Sequence, residues 1–335
     1  MKKIAIIQTA FIGDVILATT LIEALAETFP NAQIDFVLRK GNQSLLANNP
    51  HLNTIYIWNK KEGKYKDLYR ILKALRKEKY DHVINLQRFG ATGLLTGLSG
   101  AKEKVGFKKN PFSLLFSRKV EHEIGNGKHE VERNFKLIEH LAPTPHLRPK
   151  LYPSPADVEA VKEYQQTPYI CIAPTSVWYT KQWLDEKWIK LINLVPHGTK
   201  VYLLGGPDDA NACESIRARA TNKNSESLAG KLNFLQSAAL MAGAKRNYVN
   251  DSAPQHIASA MNAPVTAIFC STVPNFGFGP LSDDSRIVET QEPLACRPCG
   301  LHGYRSCPEK HFKCATTIAP EAAISDVIAP PGVQN

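Results

Sequence analysis

The sequence predicts an α/β protein of two similar domains, each a parallel sheet covered by helices. Three observations lead there. Short continuous apolar runs alternate with amphipathic helical patterns along most of the chain, the order that builds strand–helix–strand crossovers. A proline-rich stretch, Ala142-Pro143-Thr144-Pro145 followed by Pro149, Pro153 and Pro155, interrupts that alternation near the middle. The length of 335 residues exceeds one typical domain and suits two. The expected division is 1–150, 151–318, and a C-terminal helix and tail over 319–335.

In the first half, Ile4–Ile7 is an apolar run of the kind buried on both sheet faces. Gly13-Asp14 follows, then a helix over Val15–Glu27 with Ile16, Leu17, Leu21 and Leu25 as its apolar positions. A single glycine there is no dinucleotide fingerprint, which needs three at fixed spacing. Asp14 has the chemistry of an N-cap. Strands are expected over Gln33–Leu38, Asn53–Trp58 and Asp81–Leu86, and a basic amphipathic helix over Asp67–Lys79. Residues 88–127 have weak periodicity and read as loops with short elements, carrying Lys102, Lys104, Lys108 and Lys109. A helix over Glu130–Leu141 closes this half.

The second half repeats the order of elements without repeating residues. Strands are expected over Tyr169–Ala173 and Lys200–Leu204, helices over Leu184–Val195, Asp208–Arg219 and Phe234–Ala242. The unit around Arg246–Pro264 organises the rest. Tyr248-Val249 ends a buried strand, Asn250-Asp251-Ser252 offers capping side chains, and Ile257, Ala260 and Met261 mark a helix face. Val265–Cys270 is the next strand. Ligands of open α/β sheets bind at the carboxyl ends of strands, against helix N-termini that favour anions. His256 lies four positions after Ser252, near enough to turn toward that end.

Four loops follow strands in this half. Pro174–Trp183 carries hydroxyls at Thr175, Ser176 and Thr180 and a cation at Lys181, a combination suited to a diphosphate. Gly205-Gly206-Pro207-Asp208-Asp209 lets a ligand approach the backbone, and an acidic residue after the glycines can hold ribose hydroxyls or simply cap a helix. Asn250–His256 is the third loop. The fourth, Ser271–Pro280, is rich in Gly and Pro and forms a wall.

The formal charge is +10, placed almost wholly in the first half: 25 Lys/Arg against 14 Asp/Glu up to residue 150, then 16 against 17. An anionic partner for that half is implied: phosphorylated glycolipid, membrane surface or nucleic acid. The N-terminus has the outline of a signal peptide, but Gly13 and Asp14 interrupt its apolar run and no clean cleavage site follows, so a cytoplasmic protein is expected. No run reaches the ~18 apolar residues of a spanning helix.

Gly13-Asp14-Val15 after the first strand, Lys181-Gln182-Trp183 after a hydroxyl-rich loop, and Asp251-Ser252 with His256 before a small-residue helix together resemble the heptosyltransferase family, glycosyltransferase family 9. The resemblance runs from residue 1 to about residue 325. It implies a GT-B fold, two Rossmann-like domains facing each other across a cleft, the first for the acceptor and the second for a nucleotide sugar. It implies that ADP-heptose is the donor and the lipopolysaccharide inner core on lipid A the acceptor. By the same resemblance Asp14 is the catalytic base, Lys181 with Thr175 or Ser176 holds the donor diphosphate, and Asp251, Ser252 and His256 line the donor pocket. Asp208 or Asp209 matches the ribose-binding acid loosely. Where the family usually has Gly after the Asp-Ser/Thr pair, this chain has Ala253-Pro254.

The chemistry expected is inverting transfer. A carboxylate takes the proton of the acceptor hydroxyl, while a cation and a helix N-terminus stabilise the leaving diphosphate. No cofactor is required for that step. Lys102, Lys104, Lys108 and Lys109 are the candidates for contacts with a phosphorylated acceptor or an anionic membrane, which puts the protein peripherally on the inner face of the inner membrane. Cys296, Cys299, Cys307 and Cys314 are crowded together, and four such thiols match a structural zinc site or a set of free thiols in a reducing compartment. The rival reading from the basic half and the cysteines is a nucleic-acid-binding protein.

Overall fold

Every strand pairing in the structure, a computed structural model describing residues 1–328, is parallel, in two six-stranded sheets. The chain divides into two units, Met1–Tyr152 and from Pro153 onward, each holding one sheet.

The first unit runs β1 (Lys3–Ile7), α1 (Ile12–Thr28), β2 (Gln33–Arg39), β3 (Leu52–Trp58), α2 (Lys64–Glu78), β4 (His82–Asn85), α3 (Gly90–Gly97), β5 (Glu103–Phe107), β6 (Arg118–Val120) and α4 (Glu130–Phe135). Its strand order is β3-β2-β1-β4-β5-β6. Ile4 to Ile7 are wholly buried because β1 is flanked on both edges and covered on both faces. Helix α1 is buried from Val15 to Leu25. Two of its buried polar residues bond within the helix: the Thr19 and Thr20 hydroxyls donate back to Ile16 O (2.7 Å) and Leu17 O (2.8 Å).

Two expectations for this half are corrected, and the short elements expected in residues 88–127 are identified. Helix α1 starts at Ile12, with Phe11 at the N-cap, so Asp14 is its third residue; the carboxylate reaches back to accept the Phe11 N–H (3.2 Å). The helix expected to Leu141 ends at Phe135, because the following backbone bonds are of the tighter i to i−3 kind, Leu137 N–H to Asn134 O and Ile138 N–H to Phe135 O. Residues 88–127 hold α3 and complete the sheet with β5 and β6. The strand β5 escaped the periodicity reading because Gly106 leaves its space to Phe116, whose ring lies 2.5 Å from where a Cβ would be.

The second unit runs α5 (Pro155–Glu159), β7 (Tyr169–Ala173), α6 (Asp185–Leu194), β8 (Lys200–Leu203), α7 (Ala210–Arg219), β9 (Ser225–Ser227), α8 (Phe234–Ala242), β10 (Asn247–Asn250), α9 (Ala253–Ala260), β11 (Val265–Phe269), β12 (Ser285–Glu289), α10 (Lys313–Thr316) and α11 (Pro320–Ile328). The order β12-β11-β10-β7-β8-β9 is the first sheet's order again. Residues Pro207–Asp209 form a 3₁₀ turn, so α7 begins at Ala210 rather than Asp208. Trp183 and Trp188 meet edge to face (5.0 Å between centroids) in a core that also takes in Ala323 and Ile324 of α11. Of the expected C-terminal helix and tail, residues 329–335 lie outside the described residues.

In each sheet the first strand of the unit lies beside the fourth, and the chain runs outward in opposite directions from that pair. That is the switch point of a doubly wound fold, where loops diverge and leave a crevice at the carboxyl ends. Asp14 follows β1, at the first switch point; Lys181 and Asp251 follow β7 and β10, at the second.

Candidate active site

At the second switch point the Lys181 ammonium lies 2.7 Å from an Asp251 carboxylate oxygen, with both side chains largely buried. Asp251 also accepts the Thr272 hydroxyl (2.6 Å) and the Gln255 side-chain amide (3.2 Å). The pair is built by three separate loops. Asn250, buried at the end of β10, accepts the Trp183 N–H (3.0 Å) and donates to Pro174 O (2.8 Å), which pins both ends of the Pro174–Trp183 loop to the neighbouring strand. Trp183 in the core then fixes the turn Tyr179–Lys181 just before it. Thr175 and Ser176 are half-buried on this loop, and Ser176 O accepts the Gln182 side chain (2.6 Å).

Ser252 sits at the N-cap of α9, but its hydroxyl turns back toward Asn250 O (3.4 Å) and makes no cap bond. The Ala253 N–H is thus left without a side-chain cap, at the end of the helix that favours anions, while Pro254 carries no N–H and the Gln255 N–H donates to Ser252 O (3.1 Å). His256 is buried in the second turn of α9. Asp208 is exposed in its 3₁₀ turn, whereas Asp209 accepts the Gly206 N–H (2.8 Å) and does the capping.

In the first unit, Asp14 is half-buried at the start of α1. Its pKa is raised from 3.8 to about 6, first by burial and then by the charge of Glu130, against the lowering effects of backbone N–H groups and of Arg39. Glu130 is buried, which on its own raises its pKa, yet its carboxyl is held below the ordinary value by His122 (3.4 Å) and by Arg133, which donates to it (2.7 Å). Glu130 is therefore ionised beside Asp14.

Sequence reasoning missed two cations at this same end of the sheet. Lys60, just past β3, donates to Thr9 O (2.7 Å). Its pKa is lowered to about 8, first by burial and then by repulsion from Arg39 and Lys64. Arg39, at the end of β2, lies over the Phe11 ring (4.7 Å) and is likewise lowered by burial, with Asp14 opposing. Two part-buried cations that repel each other next to a carboxyl form an anion-ready surface. The signal for them was weak, since the sheet order alone brings the ends of β2 and β3 beside β1.

The four lysines chosen from sequence are not brought together. Lys102 precedes β5, at the amino edge of the sheet, and pairs with Asp81 (2.7 Å). Lys104 is within β5; Lys108 and Lys109 follow it at the carboxyl edge, where Lys108 pairs with Glu121 (2.6 Å) and Lys109 is exposed. All four cysteines are free thiols and line one cavity of about 160 Å³ with Glu309 and His311. Burial raises the Cys314 pKa to about 12 and also raises Cys299, as their neighbouring thiols do. The donor chemistry fits a thiolate metal site, but among the described residues no three His, Cys, Asp or Glu side chains converge closely enough to hold an ion.

The model of glycosyltransferase family 9 (heptosyltransferase) matches residues 68–303. The chain belongs to that family. It is 32% identical over 286 residues to the lipopolysaccharide heptosyltransferase 3 of Escherichia coli, covering 78% of this chain and 80% of that one. Among solved structures, the E. coli ADP-heptose lps heptosyltransferase II superposes with a TM-score of 0.80 at 21% identity, over 98% of both chains. The E. coli heptosyltransferase WaaC with ADP gives 0.74 at 18% identity, over 97% of this chain and 98% of that one. The two parallel sheets are thus those of a GT-B glycosyltransferase. Nothing in the fold or the comparisons supports the nucleic-acid alternative. Among the described residues no helix is long and apolar enough to cross a membrane.

Proposed function

We propose that this glycosyltransferase moves a heptose from ADP-heptose to the inner core of lipopolysaccharide, with inversion and without a catalytic metal. The observation that carries the reading is the Lys181–Asp251 pair at the switch point of the second sheet, where a nucleotide's phosphates are met by a cation and an uncapped helix start. The printed names of the relatives, lipopolysaccharide heptosyltransferases and an enzyme with bound ADP, supply the donor and acceptor classes.

On this reading the second unit binds the donor. Lys181 leaves Asp251 in part to meet the diphosphate, Thr175 and Ser176 donate hydroxyls, and Asp208 takes the ribose hydroxyls. Asp251, Ser252 and His256 form the pocket wall. The first unit binds the acceptor, whose acidic groups meet Arg39 and Lys60, with Lys109 and Lys108 farther along the same edge. Lys102 and Lys104 give the unit its general attraction to an anionic membrane on the inner face of the inner membrane. Asp14 takes the proton of the acceptor hydroxyl as attack proceeds. A pKa near 6 makes it a stronger base than an ordinary carboxylate while leaving it ionised at neutral pH. The four cysteines are the ligands for one structural zinc ion; their shared cavity supports this.

A transfer assay with purified lipopolysaccharide acceptor and a panel of ADP- and UDP-sugars tests the reading. ADP-heptose should be the preferred donor. Equal or better transfer from a UDP-sugar, with no thermal stabilisation by ADP, would sink it.

A further inference from the structure

The cysteine-lined segment after β12 does more than close a cavity of its own: it is bonded to the turn that carries Lys181. Thr180, buried beside Lys181, accepts the Tyr304 N–H at its hydroxyl (2.8 Å) and donates its own N–H to Tyr304 O (3.1 Å). The Ser271 hydroxyl donates to the same Thr180 oxygen (3.0 Å). Gly303, with φ at +78°, presses its α-carbon into this junction. A Cβ there would lie 2.8 Å from the Thr180 hydroxyl oxygen, 3.1 Å from Lys181 Cγ and 3.2 Å from the Ser271 oxygen. Only a glycine accepts both that backbone conformation and that proximity.

The same segment grips the other half of the pair. The Cys299 N–H donates to Ser271 O (2.8 Å), and Arg297 donates to Cys270 O (2.7 Å) and Thr272 O (2.7 Å). Thr272 is the residue whose hydroxyl holds Asp251. One loop therefore touches the stem of Lys181 on one side and the support of Asp251 on the other. A long lysine side chain loses much of its rotamer freedom when its stem is packed in this way, so the ammonium needs little further ordering to exchange Asp251 for a ligand.

We propose that this loop, through Gly303, Tyr304 and the buried Thr180 hydroxyl, is a positioning element that presets Lys181 for the donor's diphosphate. The inference rests on the reading that Lys181 binds that diphosphate. Thr180 and Gly303 act through Lys181 and do not touch the donor themselves.

The test is a double-mutant cycle read by calorimetric binding of ADP to the full-length protein. Lys181→Ala should weaken ADP at least about tenfold, the loss of a charge-assisted contact. Thr180→Val, which removes the accepting oxygen, should weaken ADP by roughly fivefold to tenfold, with Thr180→Ser close to the unaltered protein. In the Lys181→Ala background, Thr180→Val should add less than about twofold, since residues acting through one contact are not additive. Equal losses from Thr180→Val in both backgrounds, or no loss in either while Lys181→Ala still weakens binding, would overturn the inference and leave the donor-site reading intact. An unchanged ADP affinity in Lys181→Ala would overturn the donor-site reading and this inference with it. Should Thr180→Val not fold, Gly303→Ala carried through the same cycle decides by the same criteria.

Discussion

Replacing Asp14 by Asn separates a catalytic carboxylate from a capping one, because the two roles predict opposite outcomes for turnover. The structure raises the Asp14 pKa from 3.8 to about 6 by burial and by the facing charge of Glu130. A raised carboxylate pKa means the folded state holds its proton longer than the unfolded chain does. The stabilisation is fully present below about pH 4 and is lost as pH rises through about 6. At ~1.36 kcal/mol per pH unit the displacement sets an upper bound of ~3 kcal/mol. Solvent screening of a part-exposed group brings this to ~1–2 kcal/mol. The amide introduced by Asp14→Asn would keep an oxygen for the Phe11 N–H and would carry no charge to desolvate. At pH 8 this variant should therefore melt no lower than the unaltered protein and up to several degrees higher, a difference that closes by pH 4. Turnover, in contrast, should fall by roughly 10²–10⁴-fold, since no base remains. The unaltered enzyme should show kcat/KM rising with pH and half-maximal near pH 6. Glu130→Gln should move that limb to lower pH by removing the repulsion. Near-normal turnover by Asp14→Asn with saturating donor and a competent acceptor would refute the catalytic role, and a clear loss of stability at pH 8 would refute the electrostatic argument.

Lys181→Ala should weaken donor binding by roughly 1.5–3 kcal/mol and also lower the melting temperature without ligand, because Asp251 is left as a buried carboxylate with only Thr272 and Gln255; unchanged donor kinetics would remove Lys181 from the site. Elemental analysis of protein purified without added metal should find about one zinc per chain, and a metal-free preparation that is folded and fully active would exclude the zinc reading. Added salt should weaken the acceptor's apparent affinity more than the donor's, with Lys109→Ala reducing that sensitivity more than Lys102→Ala, whose ammonium is already paired with Asp81; equal sensitivity of both substrates would make these lysines a solvated face only.

How much of this was legible in the sequence follows from what is local and what is not. Runs such as Ile4–Ile7 and Tyr169–Ala173 are buried on both sheet faces, so their character shows without knowing their neighbours, and they read directly as strands. The strands β6, β9 and β12 lie at sheet edges, with exposed or part-exposed residues such as Arg118, Lys119 and Glu226, and no apolar run announces them. Lys181 and Asp251 could each be named from a loop after a strand. Their pairing could not, since it depends on β7 lying beside β10 across a long intervening stretch of chain, a property of the crossover order. Arg39 and Lys60 were hidden for the same reason: each looks like an ordinary lysine or arginine ending a strand until β1, β2 and β3 are set side by side.

The same non-local logic explains why the chain can carry a buried ion pair where a nucleotide is to bind. A Lys181 left unpaired in the empty site would bear the desolvation cost of a buried ammonium, and an Asp251 left alone the cost of a buried carboxylate. Pairing them at 2.7 Å offsets both costs in the empty protein. An arriving diphosphate brings a larger negative charge than Asp251 and competes for the same ammonium, while Thr272 and Gln255 remain to hold the carboxylate. On the proposed donor-site reading, Asp251 is thus a stand-in for the ligand's charge as well as a wall of its pocket. Asp251→Asn, which keeps the shape but gives up the charge, should on this argument bind ADP at least as tightly as the unaltered protein, because Lys181 no longer has a competing partner. A loss of more than about tenfold in ADP affinity in that variant, as measured by calorimetry, would mean that the carboxylate contacts the donor or sets the lysine's position, and that charge competition is not what the pair is for.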